Sequence, residues 1–278
     1  MKVFLYTTLA LVAFAFNSIL CRLALRGEEA DAVGFTVVRL VSGVVMLLFI
    51  SYFFSRSKGH VKSGSWPSAF FLFADAICFS LAYLDLTAGT GALVLFGAVQ
   101  LTMIAVSLVR GERPPLIEWL GLLLAVGGLV YLVFPGLASP PLNSSLLMAA
   151  AGASWGFYTL RGKTSGDPLA NTTGNFVRSV PMIAIVAIPF FSKIHLTNRG
   201  LLLAVLSGAV TSGIGYTVWY AALKHHTATR AAVLQLAVPV IAAVVGILFL
   251  AEAANVRLLI AAALILGGIS LTIFGKRS

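Results

Sequence analysis

Long apolar runs separated by short polar connections cover the chain from end to end. A helix needs about 20 apolar residues to cross the hydrocarbon core of a bilayer. Ten runs come near that length: 3–23, 33–54, 67–86, 88–109, 116–134, 144–161, 173–191, 200–222, 230–250 and 257–274. Most are bounded by charges, proline or glycine, and no connection is long enough for a separate soluble domain. The first run follows only Met1-Lys2, which raises a cleaved signal peptide. Against that, it carries Asn17, ends in Cys21-Arg22 and is followed by nine similar runs. The pattern predicts an all-α polytopic membrane protein with ten transmembrane helices.

Composition agrees. Of 278 residues, 59% are hydrophobic and 10% charged, with a mean hydropathy of +1.00. A soluble domain is about 45–50% apolar and about 25% charged, so this chain lacks the polar surface for a water-facing globule. The low charge also excludes disorder, which needs the opposite balance. A net charge of +10 would indicate nucleic acid only if the cations shared one solvated face. Here they sit in short clusters between apolar runs, so no nucleic-acid partner is expected and the lipid bilayer is the surrounding medium. Cys21 and Cys78 form no disulfide framework or metal-ligand spacing, and neither a metal nor a cofactor is expected.

Lys and Arg mark the cytoplasmic loops. With the N-terminus inside, that side carries twelve: Lys2, Arg56, Lys58, Lys62, Arg110, Arg113, Arg161, Lys163, Lys224, Arg230, Lys276 and Arg277. The other side carries five: Arg22, Arg26, Lys193, Arg199 and Arg257. Both termini are therefore expected in the cytoplasm, with residues 55–65 inside and 135–143 outside.

An internal repeat is visible. A shift of 140 places Thr87 on Thr227, Glu112 on Glu252 and Gly127-Gly128 on Gly267-Gly268. Near the start the shift is 139, placing Arg22 on Arg161 and Arg39 on Arg178. The units, 1–135 and 144–278, hold five predicted helices each. An odd number sends the second copy in from the opposite side, giving inverted repeats. Secondary transporters use that architecture to bind substrate at the repeat interface near the midplane; some channels share it.

The second half carries the most specific stretch, Ser212-Gly213-Ile214-Gly215-Tyr216-Thr217-Val218-Trp219-Tyr220-Ala221-Ala222-Leu223-Lys224. Thr229-Arg230-Ala231-Ala232, Pro239, Glu252 and Gly267-Gly268 follow it. Over essentially the whole chain this resembles the EamA-type branch of the drug/metabolite transporter superfamily. Within the branch it is similar to bacterial aromatic amino acid exporters of the YddG type. The resemblance implies a multi-pass protein of the bacterial inner membrane, with a central cavity lined by helices one, three, four, six, eight and nine. Helices five and ten would be peripheral. It also implies secondary active or facilitative export of amino acids, aromatic ones first, or of related small metabolites, by alternating access. The first half departs from the pattern: Val99 stands where the second copy has Pro239, and Gly89-Thr90-Gly91 replaces Thr229-Arg230-Ala231. Equal contributions from the two halves therefore do not follow.

An intramembrane enzyme would need a nucleophile–base pair, a metal site or paired carboxylates. His60, His195, His225 and His226 fall in loops or at span ends, and no HExxH, GxSxG or carboxylate pair occurs. No enzyme is expected. Ionisable residues inside spans are functional candidates because they are expensive in hydrocarbon. Asp75 lies deep in the third run, placed to bind an amino group or carry a proton, or else to pair with an arginine. Arg39 and Arg178, about two turns from span ends, are expected to snorkel as structural anchors.

Asn17, Gln100 and Gln235 are neutral polar candidates, with helix–helix hydrogen bonding as the competing reading. A neutral amide cavity suits a zwitterion better than a phosphate. Phe79 with Tyr83, Phe96, Trp155 with Tyr158, and Tyr216 with Trp219 and Tyr220 are spaced to share helix faces. They form a candidate aromatic wall for a flat substrate, with Trp155 preferred because Gly156 and its small neighbours leave room beside the ring. Trp66 and Trp119 read as interface anchors. Gly213, Gly215 and Pro239 are expected to loosen helices eight and nine, and the double glycines to let helices five and ten pack closely. The predicted partner is a small-molecule substrate; the oligomeric state stays open, a monomer included. A multidrug or other metabolite carrier is the alternative within the fold, and a lipid-handling or structural membrane protein the alternative outside it.

Overall fold

The computed structural model describes residues 2–54, 63–109, 116–134, 139–163, 167–226, 234–235, 237–253 and 255–274. The basic segment with Arg56, Lys58 and Lys62 lies outside them, as do Arg110, Glu112, Arg113, Thr227, Arg230, Lys276, Arg277 and residues 135–138.

The described residues form helices α1 (Lys2–Arg26), α2 (Ala32–Phe54), α3 (Trp66–Ala82), α4 (Ala88–Val109), α5 (Leu116–Val133), α6 (Leu142–Lys163) and α7 (Pro168–Ala187). A 3₁₀ turn, Ile188–Lys193, extends α7. Then come α8 (Asn198–Leu223), α9 (Ala237–Leu250) and α10 (Val256–Phe274). Among these residues, five helices are long and apolar enough to cross a membrane, namely α1, α2, α4, α7 with its 3₁₀ extension, and α8. Helices α3, α5, α9 and α10 are apolar but shorter. The sole β feature among the described residues is an isolated bridge between Ala30 and Leu196. The protein is an all-helical polytopic membrane protein.

Local chemistry sets the helix starts. Ser65 caps α3 by accepting from the Ser68 N–H, Asp167 caps α7 through Ala170, and Thr197 caps α8 through Gly200. Each satisfies one of the donors that a helix start leaves free, and proline in the first turn of α3 and α7 loses nothing there. The eighth helix is not uniform. An α segment, Asn198–Val205, passes into a π segment, Leu206–Ile214, and returns to α geometry at Gly215–Leu223.

Outward faces are apolar: Phe49, Tyr52, Leu248, Phe249 and Leu259 stand exposed, as lipid contact requires. Trp66 and Trp119 are exposed as well, in keeping with interface anchoring. Helices α5 and α10 pack on each other, but only one glycine of each pair is in contact. A Cβ on Gly128 would meet Leu264 and Ile265, and one on Gly268 would meet the Gly121 carbonyl and Ala125 nitrogen, whereas Gly127 and Gly267 face open space. Inside, α2 packs on α7 and the π segment, α3 on α6 and α7, α4 on α6 and α9, and α1 on α8 and α9.

End-to-end contacts join segments that the charge count puts on one side. At the end bearing the expected cytoplasmic segments, Arg161 donates to Ser68 and Ser65, Asn171 accepts from the Gly64 N–H, and Thr7 bonds His226. At the other end Asp31 accepts from the His195 N–H, Arg26 donates to the Leu250 carbonyl, and Arg257 donates to those of Tyr131 and Phe134.

Candidate functional site

Phe14 of α1 is the hub of a buried aromatic cluster. Its ring meets Trp155 at 5.6 Å, Tyr216 at 5.8 Å and Trp219 at 5.7 Å, each edge-on. Trp155 also meets Tyr216 at 4.7 Å and Tyr158 at 5.7 Å, and Phe176 closes on Tyr216 at 5.8 Å. These separations and tilts are the arrangements that ring quadrupoles favour. The Trp155 indole N–H points at the Gln235 side-chain oxygen, 3.5 Å away.

Arg39 enters the cluster from α2, and here the expectation of snorkelling is overturned. The residue is only 2% exposed. Its Nε donates to Ser212 Oγ at 3.2 Å and its Nη2 to the Tyr216 hydroxyl at 3.4 Å. The guanidinium carbon lies 4.9 Å from the centre of the Phe79 ring, a cation–π contact. Nη1 is buried with no hydrogen-bond partner among the described residues. Asp75, four residues before Phe79 and on the same face of α3, is 4% exposed. It interacts electrostatically with Arg39, yet the ion pairs among the described residues are Arg22–Glu252 and Arg199–Glu29. No salt bridge joins the two among the described residues. Arg178, which the 139-residue shift places on Arg39, instead donates to the carbonyls of Ser63 and Gly174.

The π segment of α8 has a direct part in this geometry. Single-turn π geometry is rare and often marks functional positions. It carries Ser212, and the residues after it carry Tyr216, so that both reach Arg39. Its Ser207 and Thr211 both donate to Asn17 Oδ1, at 2.6 and 3.0 Å.

Several candidates lie apart from the cluster or are engaged elsewhere. Asn17 is a helix–helix contact, its oxygen already taken by Ser207 and Thr211. Tyr83 sits at the far end of α3, where its hydroxyl donates to the Ala88 carbonyl at 3.3 Å and its ring covers Gly91. Among the described residues its ring contact with the cluster is to Phe79, at 4.7 Å. Phe96 and Gln100 are buried on α4, and no ring contact joins Phe96 to the cluster among the described residues. Gly156 leaves no room beside Trp155; with Gly152 it is a close approach to α4, against Thr102 and the Leu95 carbonyl. The residues the fold does bring together are Asp75, Phe79, Trp155, Tyr158, Tyr216, Trp219 and Gln235, with Phe14 and Arg39 added. Phe14 had one sequence signal: it lies three residues before Asn17, on the same helical face.

The two ends differ. At the end that the charge count assigns to the cytoplasm, a cavity of about 580 Å³ is lined by Ser65, Ser68, Phe71, Phe157, Arg161 and Asn175. At the opposite end the chain closes on itself. Both Glu252 oxygens accept from the Ala88 N–H at the start of α4, at 3.0 and 2.9 Å. Arg22 Nε lies 3.5 Å from the same carboxylate, while its Nη1 donates to the carbonyls of Tyr83 and Leu84. Ala251, at a φ of +50°, turns the backbone so that Glu252 reaches back to α4.

Residues 142–274 match the model of the EamA-like transporter family. The chain belongs to the EamA-like transporter family. The matched region of this EamA-like transporter is its second half, where the sequence pattern is the more specific. An uncharacterized protein of Pseudomonas aeruginosa is 48% identical over 97% of this chain and 94% of its own length. The threonine/homoserine exporter RhtA of Salmonella typhimurium is 28% identical over 80% of this chain and 75% of its own. A crystal structure superposes with a TM-score of 0.69 at 18% identity, covering 98% of this chain and 97% of that one; that likeness concerns the fold. The EamA-like chain is a small-molecule transporter and not an enzyme.

Proposed function

We propose that this EamA-like transporter exports amino acids, aromatic ones foremost, from the cytoplasm across the bacterial inner membrane. It works as a secondary active or facilitative carrier by alternating access between two inverted five-helix repeats, 1–135 and 144–278. The observation that carries the proposal is the buried cluster itself. Helices α1, α2 and α3 of the first repeat supply Phe14, Arg39, Asp75 and Phe79; α6 and α8 of the second supply Trp155 and Tyr216, and Gln235 comes from the stretch before α9. A site shared by two repeats can change its access when they rock against each other.

Three further observations support the reading. Contacts at the helix ends join segments that inverted topology places on one side. The Arg22–Glu252–Ala88 closure at one end and the cavity at the other correspond to a carrier closed outward with a vestibule on the cytoplasmic side. RhtA, an exporter of threonine and homoserine by its name, brings the amino acid class, and the rings around Arg39 bring the aromatic preference. The test is counterflow in proteoliposomes. Labelled phenylalanine or threonine should accumulate transiently against unlabelled amino acid inside. A panel in which only cationic drugs exchange would favour a multidrug carrier, and no exchange at all would favour a lipid-handling protein.

A further inference from the structure

Arg39 and Asp75 pose a problem that packing does not solve. A guanidinium buried in a membrane protein is normally matched by a contacting carboxylate, which accepts two parallel hydrogen bonds from its planar fork. Arg39 instead contacts neutral hydroxyls and a ring face, and its Nη1 has no hydrogen-bond partner among the described residues. Asp75, one helix away, makes no ion pair or hydrogen bond with any described residue. Simple charge neutralisation would bring the two into contact, as happens between Arg22 and Glu252 in the same molecule. Held apart, each leaves the other incompletely compensated, an arrangement costly inside a protein unless something completes it.

We infer that Arg39 and Asp75 form a split receptor for the two charges of a zwitterion. Arg39 Nη1 takes the α-carboxylate and Asp75 takes the α-ammonium of a bound amino acid. The inference rests on the proposed amino acid export and names what within the cluster recognises that class. The surroundings fit the division of labour. Ser212 and Tyr216 hold the guanidinium from one side and Phe79 from its face, so Nη1 is oriented before a ligand arrives. The rings of Trp155, Tyr216 and Phe14 adjoin this corner and meet the amino acid's side chain. A ligand bearing both charges completes both residues; a ligand bearing one leaves the other residue unmatched. The receptor therefore discriminates by what an analogue lacks.

Binding to the purified full-length protein in detergent, read by thermal shift and by intrinsic tryptophan fluorescence, tests this. Two series serve as probes: L-phenylalanine with phenethylamine and 3-phenylpropionate, and L-threonine with 1-amino-2-propanol and 3-hydroxybutyrate. At least one amino acid should bind about tenfold more tightly than both its decarboxylated and its deaminated analogue. Arg39→Gln should bring the amine to within about threefold of the amino acid while keeping the penalty on the acid. Asp75→Asn should do the reverse. Arg39→Lys and Asp75→Glu, which retain charge, should restore part of each preference. In the wild type, an analogue of each series binding as well as its amino acid would overturn the receptor, whether or not the variants fold. So would folded variants with unchanged ratios. Counterflow run in parallel separates the two proposals: selective binding without exchange rejects export and leaves the receptor standing, whereas exchange without discrimination rejects the receptor alone.

Discussion

The closure opposite the cytoplasmic cavity hangs on one carboxylate, so Glu252→Ala should be far more damaging than its place in a short loop implies. Two interactions disappear together. The start of α4 loses the acceptor for the Ala88 N–H, bound at 3.0 and 2.9 Å, and removing such a cap typically costs about 1 kcal/mol. Arg22 loses its ion partner in a pair whose side chains are only 11% and 5% exposed. Leaving one member of a buried pair costs about 3–5 kcal/mol when nothing else holds it. Arg22 keeps the carbonyls of Tyr83 and Leu84, at 2.8 and 2.9 Å, so the lower part of that range or less applies. The sum is about 2–4 kcal/mol, or roughly 5–15 °C in Tm on the scale of soluble domains. Glu252→Gln keeps an acceptor for the cap and should lose about half as much. A double-mutant cycle with Arg22→Gln, read by thermal unfolding in detergent, isolates the pair. A Tm within about 2 °C of wild type for Glu252→Ala would refute the closure.

Trp155→Ala should weaken phenylalanine relative to threonine by about two- to twelvefold in counterflow competition, the equivalent of about 0.5–1.5 kcal/mol of ring pairing, while Trp155→Phe keeps most of the preference; equal loss for both amino acids would leave Trp155 a packing residue. Gly268→Ala should lower stability by about 1–3 kcal/mol because the added methyl meets backbone of α5, whereas Gly267→Ala, facing open space, should be near neutral; thermal unfolding of the two variants side by side decides it. Single cysteines at His225 and His195 in a background without Cys21 and Cys78 should label from the cytoplasmic and the opposite side respectively, and labelling from one side would sink the inverted topology.

The helices themselves were legible in the sequence as sustained apolar runs, and five of those described are long and apolar enough to cross a membrane. The run expected at 88–109 is α4 to the residue, and the looseness expected from Gly213 and Gly215 appears as the π segment of α8. What stayed hidden was rotation about the helix axis. Arg39 and Arg178 are related by the 139-residue shift and lie at similar depths in their apolar runs, yet one meets the cluster and the other a loop carbonyl. Depth is written in the sequence; the direction of a side chain is set by the neighbours its helix meets. In a chain with 19 phenylalanines, nothing but its spacing from Asn17 singled out Phe14. Asn17 and Gly156 mislead for a related reason: a polar or small residue inside a membrane serves equally to join helices and to leave space.

Alternating access requires one buried site that opens to each side of the membrane in turn. Ser212, fully buried beside Arg39, is the position to ask. Ser212→Cys in the background without Cys21 and Cys78, reconstituted in one orientation, should react with a membrane-impermeant thiol reagent added to either side. Saturating amino acid should slow both reactions. Reaction from one side only, in a protein that still carries out counterflow, would contradict alternating access through this cluster.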